Sequence, residues 1–278
     1  MSIGQAVSRL DGPAKVAGAA RYTADTPMPD AAYAVIVPAT RPKATITGFD
    51  LAAASAAPGV IGIFTHQNTP KFGELTVPLA GETVLPLQDD RVHYEGQAVA
   101  LVVADSLERA TEAARLVQVF YREEPFEADF LAGLDRAEVV PEFFGIPLNR
   151  TKGDVAAAWA QADVRVEGTY RTVDRHHGAI EPAATLAVWQ DGQLLVHDAT
   201  QGVMDARTCL AQALHLDPEV IRVKSEFIGG GFGGKGWGWP YQILAAMAAR
   251  ELGCAVKLVL TRAQSFTAHG YQPATFRP

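Results

Sequence analysis

The chain has 278 residues, a 48% hydrophobic composition and a formal net charge of −7. Its length suffices for one large or two ordinary globular domains with buried cores. The 24 basic residues are scattered along a net acidic chain, which excludes the basic stripe that nucleic acid or an anionic membrane surface would need. We therefore expect no nucleic-acid partner. No stretch reaches the roughly 18 apolar residues that cross a bilayer, and the first residues lack the pattern of an export signal.

The two cysteines, Cys209 and Cys254, are far apart and belong to no CxxC pattern. By themselves they are not enough to hold an iron–sulfur cluster or to form a recognisable zinc site. We expect both to be buried free thiols.

The first half of the chain alternates apolar runs with one helical pattern, which is typical of a small α+β domain. Helical spacing extends over 107–120, and Asp105 followed by Glu108 resembles a capping box at its start. We expect this helix to pack on the sheet that contains 98–104. Strands are predicted over 33–37, 60–64 and 98–104.

The second half begins after an irregular segment, 123–150, whose prolines interrupt any regular period, so we place a domain connection there. Asp154 predicts the N-cap of a helix. The pair Asp191-Gly192 predicts a tight hairpin, and Gly253 predicts the end of a helix. Helices are predicted over 155–162, 203–214 and 241–252, and strands over 164–172, 185–189, 193–197, 220–227 and 255–260.

The run GGGFGGKG, from Gly229 to Gly236, is the most unusual local feature of the sequence. So many glycines make the loop costly in backbone entropy when the chain folds. A glycine-rich loop of this kind is typical of a site where the backbone closely approaches an anionic or sulfur-rich ligand. The run also matches two nucleotide-binding patterns, GxGxxG and GxxxxGK. A P-loop needs Ser or Thr where this chain has Gly236, and the acidic residue of a dinucleotide fold is missing, because Glu251 lies inside the next predicted helix. The alternative is a flexible surface loop. Phe232 and the tryptophans that follow make this alternative less favoured.

Several further motifs appear in a fixed order around this loop. A Thr-Gln pair, Thr200-Gln201, precedes a helix, a strand and then the loop. The other motifs are Arg9 to Gly12, Lys15-Val16, Gly18 through Tyr22 to Asp25, Tyr94 to Gln97, Gly153-Asp154, His177 with Glu181-Pro182, and Lys257 to Arg262. Together they resemble the large molybdopterin-binding subunit of the molybdenum hydroxylases, the xanthine dehydrogenase and aldehyde oxidase family, and are closest in style to the bacterial aldehyde oxidoreductases.

This resemblance covers almost the whole chain and implies both a fold and a reaction. The implied fold is α+β, with an N-terminal α/β-hammerhead domain over 1–130, a connecting segment over 131–150 and the first part of a molybdopterin-binding domain over 151–278. The implied reaction is the hydroxylation of aldehydes or N-heterocycles with water as the oxygen source. Electrons would then pass to iron–sulfur partners.

The resemblance also assigns roles to residues of the two central motifs. In the family, the glutamine that matches Gln201 donates a hydrogen bond to a molybdenum ligand, and the glycine loop packs beside the metal and its dithiolene. A neutral amide can orient such a ligand without a charge of its own. The alternative for Gln201 is a helix-start side chain that caps its own backbone. The implied cofactor-binding residues are Gln201, Gly202, Gly231, Phe232, Gly233 and Gly234.

One departure from the family bears on the substrate. Purine-oxidising members place a glutamate directly after the loop lysine, whereas this chain has Gly236 and then Trp237. Aldehydes or heterocycles are therefore favoured over purines. Phe232 and Trp237 are candidates to line an apolar substrate pocket, with burial in the core as the alternative for each.

Other candidate side chains carry less weight. His176 and His177 are adjacent in a predicted strand and would point to opposite faces, so we do not expect them to bind one metal together. Glu181 is expected to be a structural acceptor rather than a base. Lys235 is expected either to reach a cofactor phosphate or to lie in solvent or an ion pair.

The resemblance places no catalytic residue in this chain, because the family's base is a glutamate near the end of a considerably longer polypeptide. The expected cofactor is molybdenum–molybdopterin, with the cytosine dinucleotide form as one option, while [2Fe–2S] clusters and FAD belong on partner subunits. The expected partners are a missing C-terminal half of the subunit, an iron–sulfur subunit and an FAD subunit. A truncated, non-catalytic remnant that serves in assembly or binding is the alternative. We expect a cytoplasmic location, or a periplasmic one if a partner carries an export signal.

Overall fold

The computed structural model describes residues 3–76, 84–143, 146–267, 270 and 275–277. The chain divides into two compact units, of which the first comprises Met1–Glu124 with His177–Gly270 and the second comprises Pro125–His176 with Tyr271–Pro278. This division differs from the one that the sequence suggests, and the domain boundaries at 130 and 150 stay a prediction.

The strands are short and follow each other closely along the chain. They are β1 (Ala32–Pro38), β2 (Ala44–Asp50), β3 (Val60–Thr65), β4 (Arg91–Val92), β5 (Ala98–Ala104), β6 (Gln118–Glu123), β7 (Glu142–Phe143), β8 (Ile146–Pro147), β9 (Tyr170–Thr172), β10 (Ala184–Gln190), β11 (Gln193–Asp198), β12 (Ile221–Lys224), β13 (Val256–Val259) and β14 (Thr275–Arg277). The α-helices are α1 (Gly12–Val16), α2 (Ala52–Ser55), α3 (Leu107–Leu116), α4 (Phe130–Gly133), α5 (Val155–Gln161), α6 (Val203–Leu214), α7 (Pro240–Leu252) and α8 (Gln264–Thr267).

The first unit is built on a seven-stranded sheet with the order β12-β11-β10-β13-β1-β5-β3. The β1–β13 and β11–β12 pairs are parallel, and the other neighbouring strands are antiparallel. Ala32 on β1 pairs with Val256 on β13, so both halves of the sequence contribute to one sheet. A second sheet in this unit has the order β4-β2-β6.

Strand β5 lies inside the seven-stranded sheet, and all seven of its residues are buried. Leu101 and Val103 belong to the core cluster that also contains residues of α7, whereas Ala100 and Val102 belong to a second cluster with Ala113 of α3. A strand covered on both faces requires a continuous apolar run, which is what AVALVVA supplies. The predicted packing of the following helix on this strand is confirmed.

Several local predictions are confirmed at residue level. Helix α6 has the predicted bounds, and Asp154 caps α5 by accepting a hydrogen bond from the N–H of Ala157. The hairpin turn between β10 and β11 places Asp191 and Gly192 at φ 51° and 75°, as a type I′ turn requires. Gly253 ends α7 with φ 64°.

The predicted helix over 107–120 was too long. Helix α3 ends at Leu116, and the next residues form β6, which pairs with β2. The sequence VQVFYRE is rich in β-branched and aromatic side chains, and the burial of its residues alternates along β6. These residues therefore pair as a strand and do not continue the helix. The cap also differs from the prediction, because the side chain of Ser106, rather than that of Asp105, accepts the hydrogen bond from the N–H of Arg109.

Two predicted strands are shorter than expected. Of 164–172, only Tyr170–Thr172 is a strand, paired with β14, while Val164 and Val166 are 78% and 82% exposed. Of 220–227, only Ile221–Lys224 is a strand, because Pro218–Val220 forms a 3-10 turn and the pairing of β12 with β11 ends at Lys224. Apolar alternation alone does not make a strand where no neighbour offers backbone partners.

Gln97 and Lys257, which belong to two of the sequence motifs, hold neighbouring backbone segments of the first unit. Gln97 accepts from the N–H of His93 at 2.7 Å and donates to the carbonyl of Arg91 at 2.8 Å, which closes the turn before β5. Lys257 on β13 donates to the carbonyls of Ala24 and Thr26, both at 3.0 Å.

Among the residues that the structure describes, none of the helices has both the length and the apolar composition that a membrane span requires.

Two substitutions test whether Ser106 or Asp105 caps helix α3. Replacing Ser106 with alanine is expected to lower the free energy of unfolding by about 1 kcal/mol, because one backbone N–H at the helix start loses its acceptor. Replacing Asp105 with alanine is expected to cost less, since its ion pair with Arg109 is about half exposed. Urea unfolding of both variants measures the difference, and a larger loss for the Asp105 variant would restore the original capping assignment.

Candidate functional site

The Thr200-Gln201 pair and the glycine loop lie side by side in the first unit. The pair follows β11 and leads into α6, and the loop connects β12 to α7. The hydroxyl of Ser225, just after β12, donates to the carbonyl of Thr200 at 3.0 Å and brings the two segments together. The parallel pairing of β11 with β12 places both segments at the same end of the sheet.

Gln201 is held by the glycine loop through both its backbone and its side chain. Its N–H donates to the carbonyl of Lys235 at 2.7 Å, and its Oε1 accepts from the N–H of Gly233 at 3.1 Å. A Cβ at Gly231 would overlap the Gln201 amide, so only glycine fits there. The contact with the loop replaces the alternative in which Gln201 caps its own helix, since Gly202 is the N-cap of α6 and no side chain caps it.

The tip of the loop has a backbone that most residues avoid. Gly230, Phe232 and Gly233 have φ of 98°, 51° and 95°. The positive φ at Phe232 is sparsely populated for a bulky residue and points to a conformation that the surroundings impose. Phe232 is 72% exposed, and a Cβ at Gly233 would meet only His177, at 3.9 Å, so the loop backbone is open to approach.

Behind the loop, Glu181 and Lys235 form a buried ion pair. Lys235 Nζ lies 2.9 Å from Glu181 Oε2, and the side chains are 1% and 10% exposed, respectively. The same oxygen accepts from the N–H of Gly229 at 2.7 Å. The expectation that Glu181 is a structural acceptor is confirmed, and of the alternatives for Lys235 the structure shows the ion pair.

A buried polar cluster lies deeper, around Asp198 at the end of β11. Its carboxylate accepts hydrogen bonds from the Thr185 hydroxyl and, at 2.6 Å, from Gln242 Nε2. Burial raises the pKa of Asp198 to about 7, and the hydrogen bonds from Thr185 and Gln242 oppose this shift. The sequence interpretation missed this residue, although it shares the inward face of β11 with Leu194 and Val196 at period two.

A small cleft opens beside the loop and is lined by side chains that include His177, Glu181, Lys235, Arg262 and Phe266. Arg262 donates to the carbonyls of Ala179 and Ile180 and thereby holds the segment that carries Glu181.

The histidines and aromatic residues differ in part from expectation. His176 and His177 do not lie in a strand, so the prediction that they point to opposite faces of one was wrong. Trp237 is partly buried against the core, whereas Phe232 is exposed. The role of these two aromatics in a substrate pocket stays a prediction.

The cysteines agree in part with the expected buried thiols. Both are free; Cys209 is buried in the main core cluster, and Cys254 is partly buried. Burial raises the pKa of Cys209 to about 12, which makes it an unreactive thiol.

Two family models match the chain in sequence order. Residues 17–125 match the aldehyde oxidase and xanthine dehydrogenase a/b hammerhead domain, and residues 141–276 match the molybdopterin cofactor-binding domain. These matches confirm the α+β fold class, the order of the two domains and the binding of a molybdopterin cofactor as the property of the second domain.

Curated relatives of similar sequence are subunits of larger enzymes. The aldehyde oxidoreductase molybdenum-binding subunit PaoC of Escherichia coli K12 is 36% identical over 99% of this chain and 37% of that protein. The nicotinate dehydrogenase large molybdopterin subunit of Eubacterium barkeri is 31% identical over 95% of this chain and 63% of that protein. The chain thus spans only part of the length of the relatives it matches.

Solved structures give the same result. The aldehyde oxidoreductase of Desulfovibrio gigas has a TM-score of 0.80 and 28% identity, over 96% of this chain and 31% of that one. Quinoline 2-oxidoreductase of Pseudomonas putida 86 has a TM-score of 0.82 and 25% identity, over 95% of this chain and 35% of that one. With the two domain matches and the ordered motifs, these likenesses show that the chain belongs to the aldehyde oxidase and xanthine dehydrogenase family and corresponds to part of its molybdopterin-binding subunit.

Proposed function

We propose that this chain supplies the glutamine and glycine-loop side of the cofactor site in a molybdenum hydroxylase that acts on aldehydes or N-heterocycles. The observation that carries the proposal is the contact between Gln201 and the loop, in which Gly233 N–H donates to Gln201 Oε1 at 3.1 Å. Two motifs separated in sequence meet here, and the meeting place is open to solvent at Phe232 and Gly233.

The residues present fit a molybdopterin. Gly233 leaves its backbone open to approach, because a Cβ there would meet nothing nearer than 3.9 Å. At Gly231, by contrast, the absent side chain makes room for the Gln201 amide. The charges of Glu181 and Lys235 balance each other behind the loop, and the neutral amide of Gln201 is exposed in front of it. A neutral, polar group of this kind suits a cofactor that brings its own charge.

When bound, the cofactor supplies the redox chemistry that transfers oxygen from water to the substrate carbon. Gln201 uses its amide oxygen to bind the loop, which leaves its NH₂ group to donate a hydrogen bond toward the cofactor. In this proposal the exposed backbone at Gly233 borders the ligand, while Gly202, Gly231 and Gly234 hold the surrounding turn as the further cofactor-binding positions that the family assigns. The exposed Phe232 side chain would line the substrate pocket and exclude water from it.

The catalytic base and the remaining cofactor contacts belong to the rest of the subunit, on the same or a separate polypeptide. Exposed apolar side chains support a need for further protein. On the second unit, Val139, Val164, Val166, Tyr170 and Val173 are each more than 70% exposed. Exposed apolar side chains, where they are contiguous, mark a surface that other protein covers.

The remaining parts of the proposal rest on the family. The partners would be an iron–sulfur subunit with [2Fe–2S] clusters and an FAD subunit, and the cofactor would be molybdopterin or its cytosine dinucleotide form. The substrate would be an aromatic aldehyde or a heterocycle, because Gly236 and Trp237 stand where purine-oxidising members have a glutamate. We place the complex in the cytoplasm, or in the periplasm if a partner carries the export signal.

Purification from the native host tests this proposal. Mass spectrometry identifies the chains that travel with this one, metal analysis gives the molybdenum content, and an artificial acceptor reports aldehyde oxidation. Stoichiometric molybdenum with the missing part of the subunit and turnover supports the proposal. A lone chain without metal or turnover contradicts it and leaves the non-catalytic remnant.

A substitution in the same complex tests the central residue. Replacing Gln201 with alanine is expected to lower kcat about a hundredfold, since one preorganised donor is lost, while molybdenum content changes little. Replacing Gln193, an exposed glutamine of the hairpin, is the matched control and is expected to change neither. An active Gln201 variant would remove this residue from the site.

A further inference from the structure

The two ends of the glycine loop are joined by one carboxylate oxygen. Glu181 Oε2 accepts from Gly229 N–H at 2.7 Å and from Lys235 Nζ at 2.9 Å, and Glu181 N–H donates to the carbonyl of Gly229 at 3.1 Å. A Cβ at Gly229 would lie 2.5 Å from the Glu181 Cβ, so the contact is tight. Glu181 thereby determines how far apart the ends of the loop lie.

Lys235, whose side chain is bound by Glu181, also binds Gln201 through its backbone carbonyl. The carbonyl of Lys235 accepts from Gln201 N–H at 2.7 Å and from the Thr200 hydroxyl at 3.2 Å. Within the loop, Gly234 N–H donates to the carbonyl of Gly231 at 2.8 Å, and these turns present Gly233 N–H to Gln201 Oε1. Glu181 is therefore connected through Lys235 to the backbone of Gln201, and Gly233 connects the same loop to the side-chain amide of Gln201.

Burial makes these connections rigid. Lys235 is 1% and Glu181 10% exposed, so the loss of either partner leaves the other charge largely buried. Arg262 fixes the preceding backbone through the carbonyls of Ala179 and Ile180. The positive φ of Phe232, at the loop tip, is a conformation that persists only where its surroundings hold it.

We propose that Glu181 is a positioning residue, which orients the amide of Gln201 by fixing both ends of the glycine loop through Lys235 and Gly229. This role rests on the proposed function, in which the free NH₂ end of that amide faces the cofactor. Glu181 itself contacts neither cofactor nor substrate in this proposal.

The test measures hydrogen exchange at individual amides of the 278-residue chain by NMR, without cofactor. In Glu181→Gln, the protection of Gly233 N–H is expected to fall at least tenfold more than that of Leu244, which lies in the buried helix α7 and reports global stability. Glu123→Gln is the matched control, because it removes the same charge from an exposed pair with Arg41. If Glu181→Gln fails to fold, Glu181→Gln/Lys235→Met removes both charges, keeps both shapes and carries the same measurement.

An equal fall at Gly233 and Leu244 would overturn the positioning role, whatever the cofactor does. A separate measurement keeps the proposed function apart from this one. The molybdenum content and kcat of the native complex with Glu181→Gln are compared with those of the parent, and kcat is expected to fall at least tenfold with KM nearly unchanged. Loss of Gly233 protection with unchanged kcat would contradict the proposed function while supporting the loop constraint measured by exchange.

Discussion

Replacing Lys235 alone with methionine is expected to lower the free energy of unfolding by about 3 to 5 kcal/mol. The substitution preserves most of the volume of the side chain but leaves the carboxylate of Glu181 buried without its cation. An uncompensated buried charge costs far more than the ion pair contributes over a neutral pair of similar shape. Urea unfolding at neutral pH, followed by tryptophan fluorescence in a Trp159→Phe background, reports on the first unit alone, because Trp189, Trp237 and Trp239 all belong to it.

The double variant Lys235→Met/Glu181→Gln is the control for this prediction. It removes both charges and keeps an acceptor for the N–H of Gly229, so its loss of stability is expected to be well below that of Lys235→Met. This non-additivity is the signature of two groups that form one interaction. If the double variant loses as much as the sum of the two single variants, Glu181 and Lys235 are not energetically coupled.

The stability of the first unit is expected to fall as the pH rises from about 4 to 7, through Asp198. Burial raises the pKa of this carboxyl from 3.8 to about 7 in the folded chain. Between these values the unfolded chain has lost the proton and the folded chain retains it, so the free energy of unfolding decreases with pH and levels off above the folded pKa. The contribution is on the order of 4 kcal/mol, because the pKa shift spans about three units and each unit corresponds to about 1.4 kcal/mol.

Asp198→Asn is expected to remove this pH dependence. The asparagine can accept from Gln242 with its oxygen and donate to the Thr185 hydroxyl, which is free to rotate. The variant should match the parent near pH 4 and exceed it by a growing margin from pH 5 to pH 8. Asp191→Asn, in the exposed hairpin turn, removes the same charge and should leave the slope unchanged. Coincident slopes for the Asp198 variant and the parent, measured by urea unfolding from pH 5 to 8, would show that Asp198 is not the group responsible.

Local signals in the sequence determined several elements by themselves. Helix α6 begins and ends at the predicted residues, Asp154 caps α5, and Asp191-Gly192 forms the predicted turn. In each case the deciding physics lies within a few residues, as a side chain that caps its own helix or a glycine that accepts a positive φ. The order of motifs likewise determined the family, which the two domain matches confirm.

Elements that depend on a distant partner could not be read in this way. Residues 118–123 form a strand because β2 lies beside them, and 164–169 do not form one within the described residues. The pairing of Ala32 with Val256, which joins the two halves of the sequence in one sheet, has no local signal at all.

The candidate site divides along the same line. The sequence by itself indicated Gln201 and the glycine loop as candidate residues, because Thr200-Gln201 and the loop are recognisable motifs, and their cofactor roles stay a prediction. Only the tertiary structure decided that Gln201 binds Gly233, that Lys235 is paired with Glu181, and that Asp198 is buried. The physical reason is that hydrogen bonds and buried charges depend on which side chains the fold brings together across long sequence separations. The spacing of residues along the chain does not determine which distant side chains meet.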